Sequence, residues 1–118
     1  MAVAFVQNVN FNEGAGDGVL SGTFGSTPVA GNAIAVASWG NGNGGAIGYN
    51  TTAVTDNKGN SYTRAVVQEN ANRGAAGYFA LNIVSSARFT VTMDVSDTTS
   101  VDIWCSATEF SGVATSAA

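Results

Sequence analysis

The sequence predicts an all-β fold, an antiparallel β-sandwich of about eight short strands, with a small barrel as the runner-up. Hydrophobic residues recur with period two along most of the chain, the spacing that puts alternate side chains on one face of a strand. Clusters of Gly, Asn, Asp and Pro break those runs at near-regular intervals, as turns between short strands require. No stretch carries a sustained helical period with caps.

Residues 2–8 form the first expected strand, weakly patterned and free of charge and proline. Residues 19–24 come next, then 32–39, where Ile34 and Val36 share one face and alanines fill the other. That composition suits a central strand covered on both sides. Residues 52–56 and 61–68 are weaker runs. Between them Asp56-Asn57-Lys58-Gly59-Asn60 offers Asn and Gly where φ > 0 is needed, the strongest hairpin signal in the chain. Residues 78–84 are again apolar. In residues 88–96, Phe89, Val91, Met93 and Val95 oppose Arg88, Thr90, Thr92, Asp94 and Ser96, the pattern of a half-buried antiparallel strand. Residues 100–110 repeat it, with Val101, Ile103, Cys105 and Ala107 against Asp102, Trp104, Ser106 and Thr108. The single proline, Pro28, falls just before a strand, where a missing amide donor does least harm. Residues 40–45 read as a glycine-rich surface loop.

At 118 residues the chain is one domain, 1–118, large enough to bury roughly two-thirds of its unfolded surface without disulfides. Its tail, 111–118, is small and weakly patterned, so it is expected to lie extended or to exchange onto a neighbouring subunit. Only 10% of residues are charged, against roughly 25% in an ordinary soluble protein. The surface must then be built from Asn, Ser, Thr and Gly, which suits a module that packs on others. Four basic residues, Lys58, Arg64, Arg73 and Arg88, are scattered among eight acidic ones. This argues against nucleic acid and against a polybasic membrane anchor. No apolar run has the length of a membrane-spanning helix, and the first six residues lack the form of a signal peptide. Cys105 is alone, which excludes a disulfide framework and a thiolate cluster and leaves a small buried hydrophobe.

Three segments carry a family resemblance. They are the run from Thr27-Pro28 through Ala30-Gly31-Asn32-Ala33-Ile34 to Trp39, the run Val54-Thr55-Asp56-Asn57-Lys58-Gly59-Asn60-Ser61-Tyr62-Thr63, and Ala107-Thr108-Glu109-Phe110-Ser111-Gly112-Val113. Together they resemble Ig-like β-sandwich modules of bacterial surface and secreted proteins and of phage structural proteins. The resemblance implies an Ig-like or jelly-roll-like sandwich with a structural or adhesive role, on an extracellular surface or a virion. These are turn, strand and corner residues and carry no chemistry. Family members continue past the third segment whereas this chain stops there, so the resemblance implies either an edge completed by another chain or a self-sufficient minimal form.

No enzyme is expected. Histidine is absent, which removes the commonest general base and zinc ligand. Asp94 and Asp102 could face each other on adjacent strands, the arrangement a glycosidase pair needs, but two acids on a sheet face are ordinarily solvated. Oxygen ligands for calcium could come from Asp56, Asn57 and Asn60, or from Asp94, Asp97 and Asp102. The first set has one carboxylate and no EF-hand spacing, so turn formation is the better account. A Lys–Asn isopeptide staple assisted by Glu109 needs a lysine buried in a strand, and Lys58 sits in a turn. No metal or cofactor is therefore expected. Asn50-Thr51-Thr52 matches the N-glycosylation sequon, relevant only in a eukaryotic secretory route.

Two function classes remain. The first is a structural or assembly module that decorates or cements a larger surface, with protein as its partner, either as a homo-oligomer or as a docked subunit. Its candidate interface edge is Ala2, Val3, Ala4, Phe5 and Val6 with Val113, because an unpaired edge ordinarily carries protective charge or proline. A Val6→Lys replacement is expected to abolish assembly through that edge. The second class is a carbohydrate-binding module, with glycan as partner, whose platform would be Trp104 with Asp102, or Trp39 with Tyr49. Trp104 shares the polar face of its strand, so cover and exposure both stay open. Trp39 is expected to be covered.

Overall fold

The computed structural model describes residues 2–13, 18–42, 53–70, 73–95 and 101–115. The chain is an all-β sandwich of two antiparallel sheets. Its strands are β1 (Ala4–Glu13), β2 (Val19–Thr23), β3 (Ala33–Gly42), β4 (Val54–Asp56), β5 (Thr63–Asn70), β6 (Arg73–Ala80), β7 (Thr90–Asp94) and β8 (Val101–Ser111). One sheet has the order β1-β8-β3-β6-β5 and the other β2-β7-β4.

The alternation read from β7 and β8 decides which side chains meet between the sheets. Val91 and Met93 point inward from the smaller sheet and Ile103, Cys105 and Ala107 from the larger one, all buried. Ile34 and Val36 of β3 join them, with Phe89, Val95 and Ile83 from the flanking segments. Phe24 meets Phe89 edge-to-face, ring centroids 5.9 Å apart. Each such side chain contributes about 1.5–3 kcal/mol through burial, so the stability of the domain resides in this layer. Where β1 crosses the smaller sheet, the Phe11 ring lies directly on Gly22, leaving no room for a Cβ there. At the other end of β1, the Ala2 carbonyl packs on Gly112, whose φ of +73° favours glycine.

Four expectations are corrected. The turn 56–60 does not close a hairpin. β4 pairs with β7 and β5 with β6, so the turn carries the chain from one sheet to the other. Its chemistry is still that of a turn: the Asp56 carboxylate accepts bonds from the Lys58 and Asn60 backbone N–H groups. The sixth strand spans 73–80, not 78–84. Beyond it the backbone turns at Asn82, φ +52°, and Ile83 bonds to Gly31 and Asn32. β7 begins at Thr90, because Arg88 takes φ +59°. Finally, the outward side of β3 is covered only at its start, where Ala33 is buried and Ala35 half-buried. Ala37 and Trp39 face outward and are exposed.

Candidate functional site

The outer face of the five-stranded sheet is the candidate site, and strand register builds it row by row. Trp39 of β3 pairs directly with Trp104 of β8, and with Ala75 of β6 on its other side. One row on, Ala37 sits between Ser106 and Gly77, then Ala35 between Thr108 and Phe79. Phe110 stands beside Ala33 at the far end. Bulky aromatic side chains thus mark both ends of a floor of Ala, Gly, Ser and Thr. The charged residues of this face, Asp102 and Arg73, fall in one row, each paired with Asn41.

The two indoles are 45% and 43% exposed, so the expected cover over Trp39 does not exist. Their ring centroids are 4.5 Å apart and the planes are tilted by 38°. They form one stacked pair, not two coplanar plates. Beside the pair runs a trough of about 450 Å³ lined by Asn10, Asn12, Ala37, Trp39, Trp104 and Ser106. A second hollow of about 390 Å³ lies towards Phe79 and Phe110. The outer face of the smaller sheet is built differently. There Ser21 bonds to Thr92 and Thr23 to Thr90, each at 2.8 Å, giving a hydroxyl surface suited to water. The two outer faces therefore differ in kind, and among the described residues the exposed apolar rings lie on the larger sheet.

Of the candidate edge residues, Ala4, Phe5 and Val6 lie in β1, whereas Ala2 and Val3 precede it. β1 ends the five-strand order and pairs with β8 alone. Val3, Phe5 and Val6 are exposed, as are Ala2 and Ala4, while Val113 is half-buried just past β8. Val6 is the extra residue of a bulge between Phe5 and Gln7. A charge at that position therefore reports on the bulge and less on the ladder beyond it. Asp102 lies two residues from Trp104 on the same face, one row towards Asn41. Tyr49 lies outside the described residues, as do Asp97 and the tail beyond Thr115.

Asp94 and Asp102 belong to different sheets, so they do not form the opposed pair considered from the sequence. Among the described residues no group of three His, Cys, Asp or Glu side chains comes together as a metal site. Asp56 is engaged within its turn: besides the two backbone bonds, Asn60 Nδ2 and the Tyr62 hydroxyl both donate to Oδ2 at 2.9 Å. Burial and the Asp56 carboxylate hold the Tyr62 phenol well above its ordinary range. Burial likewise pushes Tyr78 up to about 12 and Cys105 to about 11. These groups bind their protons more tightly in the folded state. Their contribution to stability is full below the unfolded values, near pH 8.5 for the thiol and 10 for the phenols, and is lost as pH rises above them. Denaturant midpoints are therefore expected to hold at neutral pH, to begin falling above about pH 8.5 and to fall more steeply above about pH 10, with phenolate absorbance appearing together with unfolding.

Sequence reasoning missed two features. Glu109 is fully buried. Its Oε1 accepts from the Val29 N–H at 2.8 Å and from Asn32 Nδ2 at 2.6 Å, and its Oε2 from Gln7 Nε2 at 2.7 Å. Its parity with Cys105 and Ala107 was a signal for an inward direction, although glutamate is ordinarily exposed. Phe79 and Phe110 were also missed as part of the outer face. Phe110 shares the parity of Trp104, and that was its signal. Compared with known family models, with curated proteins and with solved structures, the chain matches none.

Proposed function

We propose that the chain is a non-enzymatic packing module, a β-sandwich that decorates or cements a larger extracellular or virion surface. It does so by laying the outer face of its five-stranded sheet on neighbouring protein. The observation that carries this reading is the uncharged aromatic and small-residue field between the Asp102/Arg73 row and Phe110. Strands about 4.8 Å apart and residues rising about 3.3 Å make this three-strand field roughly 20 Å long and about 14 Å wide. The largest apolar patch on a monomer is often a functional one. Aromatic anchors flanked by small residues that permit close approach are what a protein surface needs for a well-packed core contact. The resemblance of the turn and corner segments to Ig-like modules of surface and phage structural proteins points the same way.

Sugar binding is the second reading, favoured by one observation. The exposed Trp pair borders a trough that also presents Asn10, Asn12 and Ser106. Against it, each indole covers part of the other's face, which reduces the flat area available to a sugar ring.

Light scattering across a concentration series separates the two. The native chain is expected to associate as concentration rises, and Trp104→Asp to lose that association while keeping its circular dichroism spectrum. A native chain that stays monomeric, is retarded in neutral polysaccharide gels and loses the retardation in Trp104→Ala would replace the packing reading with the sugar-binding one.

A further inference from the structure

We propose that β1 is a self-pairing edge. Two copies of this chain join antiparallel, β1 to β1, about a two-fold axis through Asn10. The inference rests on the packing reading and adds the identity of one partner, a second copy.

Three observations carry it. First, among the described residues β1 has β8 on one side and no strand partner on the other. Second, its run from Gln7 to Asn12 carries no charge, proline or bulge, the devices that ordinarily protect an edge, since the bulge at Val6 and the charge of Glu13 fall at its two ends. The opposite edge of the same sheet, β5, contains Arg64 and Glu69 and a bulge between Arg64 and Val66. Third, the regular part of β1 reads Asn8-Val9-Asn10-Phe11-Asn12, which alternates polar and apolar symmetrically about its centre. An axis through Asn10 sets Asn8 against the partner's Asn12, Val9 against the partner's Phe11 and Asn10 against its own copy.

The chemistry of these pairs agrees face by face. Asn8, Asn10 and Asn12 are exposed on the outer side. The Asn8 NH₂ already donates to Ser106, the Ala107 carbonyl and Thr108 of β8, which leaves its Oδ1 to accept from the partner's Asn12, while the two Asn10 amides can each donate to and accept from the other. Val9 and Phe11 lie on the core side, so the apolar pairs extend the two cores towards each other. A slip of one residue would set Asn10 against Val9 or Phe11 and turn one copy's core face outward, which specifies the register. The bulge at Val6 ends the regular ladder on one side, limiting slips of two. The joined sheets share one continuous outer face. A strand-edge contact alone falls below the roughly 800 Å² per partner of a standard interface. The pair is therefore weak in free solution and strengthens where copies are held side by side on a larger surface.

Disulfide trapping tests the axis directly. Antiparallel partners have Cα atoms about 4.5–5.5 Å apart, inside the range a disulfide spans. The native Cys105 is buried and does not compete. Under mild oxidation at the highest soluble concentration, Asn10→Cys is expected to give a covalent dimer. Asn8→Cys and Asn12→Cys are each expected to remain monomeric alone, because like positions lie roughly 13 Å apart along the strands. Mixed together, those two variants should cross-link to each other. Equal cross-linking of all three variants alone would overturn the register. Absence of the Asn10→Cys dimer in a chain that still associates by light scattering would overturn edge pairing while leaving face packing intact. Absence of both cross-link and association would overturn the two together.

Discussion

Replacing Glu109 with leucine is expected to cost about 3 kcal/mol and to lower the melting temperature by roughly 10 °C. The carboxylate ties its ladder partner Gln7 on the edge strand to the turn at Val29 and to Asn32 before β3. Removing it leaves three donors facing an apolar side chain, and an unsatisfied buried donor costs about 1–3 kcal/mol. Glutamine is the instructive variant. Its carboxamide oxygen can serve Val29 and Asn32, but its NH₂ then faces the NH₂ of Gln7. Gln7 cannot turn over freely, since its Oε1 accepts from the Ser26 N–H and hydroxyl while its Nε2 also donates to the Ser26 carbonyl. Glu109→Gln is therefore expected to lose about 1–2 kcal/mol, less than leucine but measurably so. Denaturant unfolding checks both, and two variants within half a kcal/mol of the native chain would remove this knot from the account of stability.

The second large effect is expected at the contact of Phe11 with Gly22. A Cβ at position 22 overlaps the Phe11 ring, so Gly22→Val should cost about 2–3 kcal/mol as the ring is displaced. Phe11→Ala alone should cost about 3–5 kcal/mol, as for other truncated aromatic side chains in a core. Combined, the two should cost clearly less than their sum, because the valine fills part of the space the ring leaves. Strict additivity in a double-mutant cycle would contradict the contact. The pairing also bears on function, since it seats β1 over the smaller sheet and so fixes the position of the edge strand.

Much of the sandwich was legible because period two is read directly from residues such as Val91, Met93, Ile103 and Cys105. The same parity placed Trp104 among outward side chains. Parity gives no partner, however, and that is why the Asp56–Asn60 turn read as a hairpin although its flanking strands enter different sheets. Strand β6 was hidden at its start by Gly74, Ala75, Ala76 and Gly77, small residues with weak strand preference that reveal no face. The alanines of β3 looked like a covered side. They are instead the floor of the exposed face, made shallow by small side chains on three neighbouring strands at once. That property exists only across the sheet, in the register that joins Ala37 to Ser106 and Gly77. The inward direction of Glu109 was readable from parity, but what it binds was not, for a related reason. Its partners at positions 7, 29 and 32 are brought to it by the fold.

Hydroxyl-radical footprinting across a concentration series tests the central claim most directly, since it reads the outer face residue by residue. Packing through that face predicts that oxidation of Trp39, Trp104, Phe79 and Phe110 falls together as concentration rises, while residues on the hydroxyl face of the smaller sheet keep their labelling. Labelling of the four rings that does not change with concentration, but falls when a neutral polysaccharide is added, would contradict it.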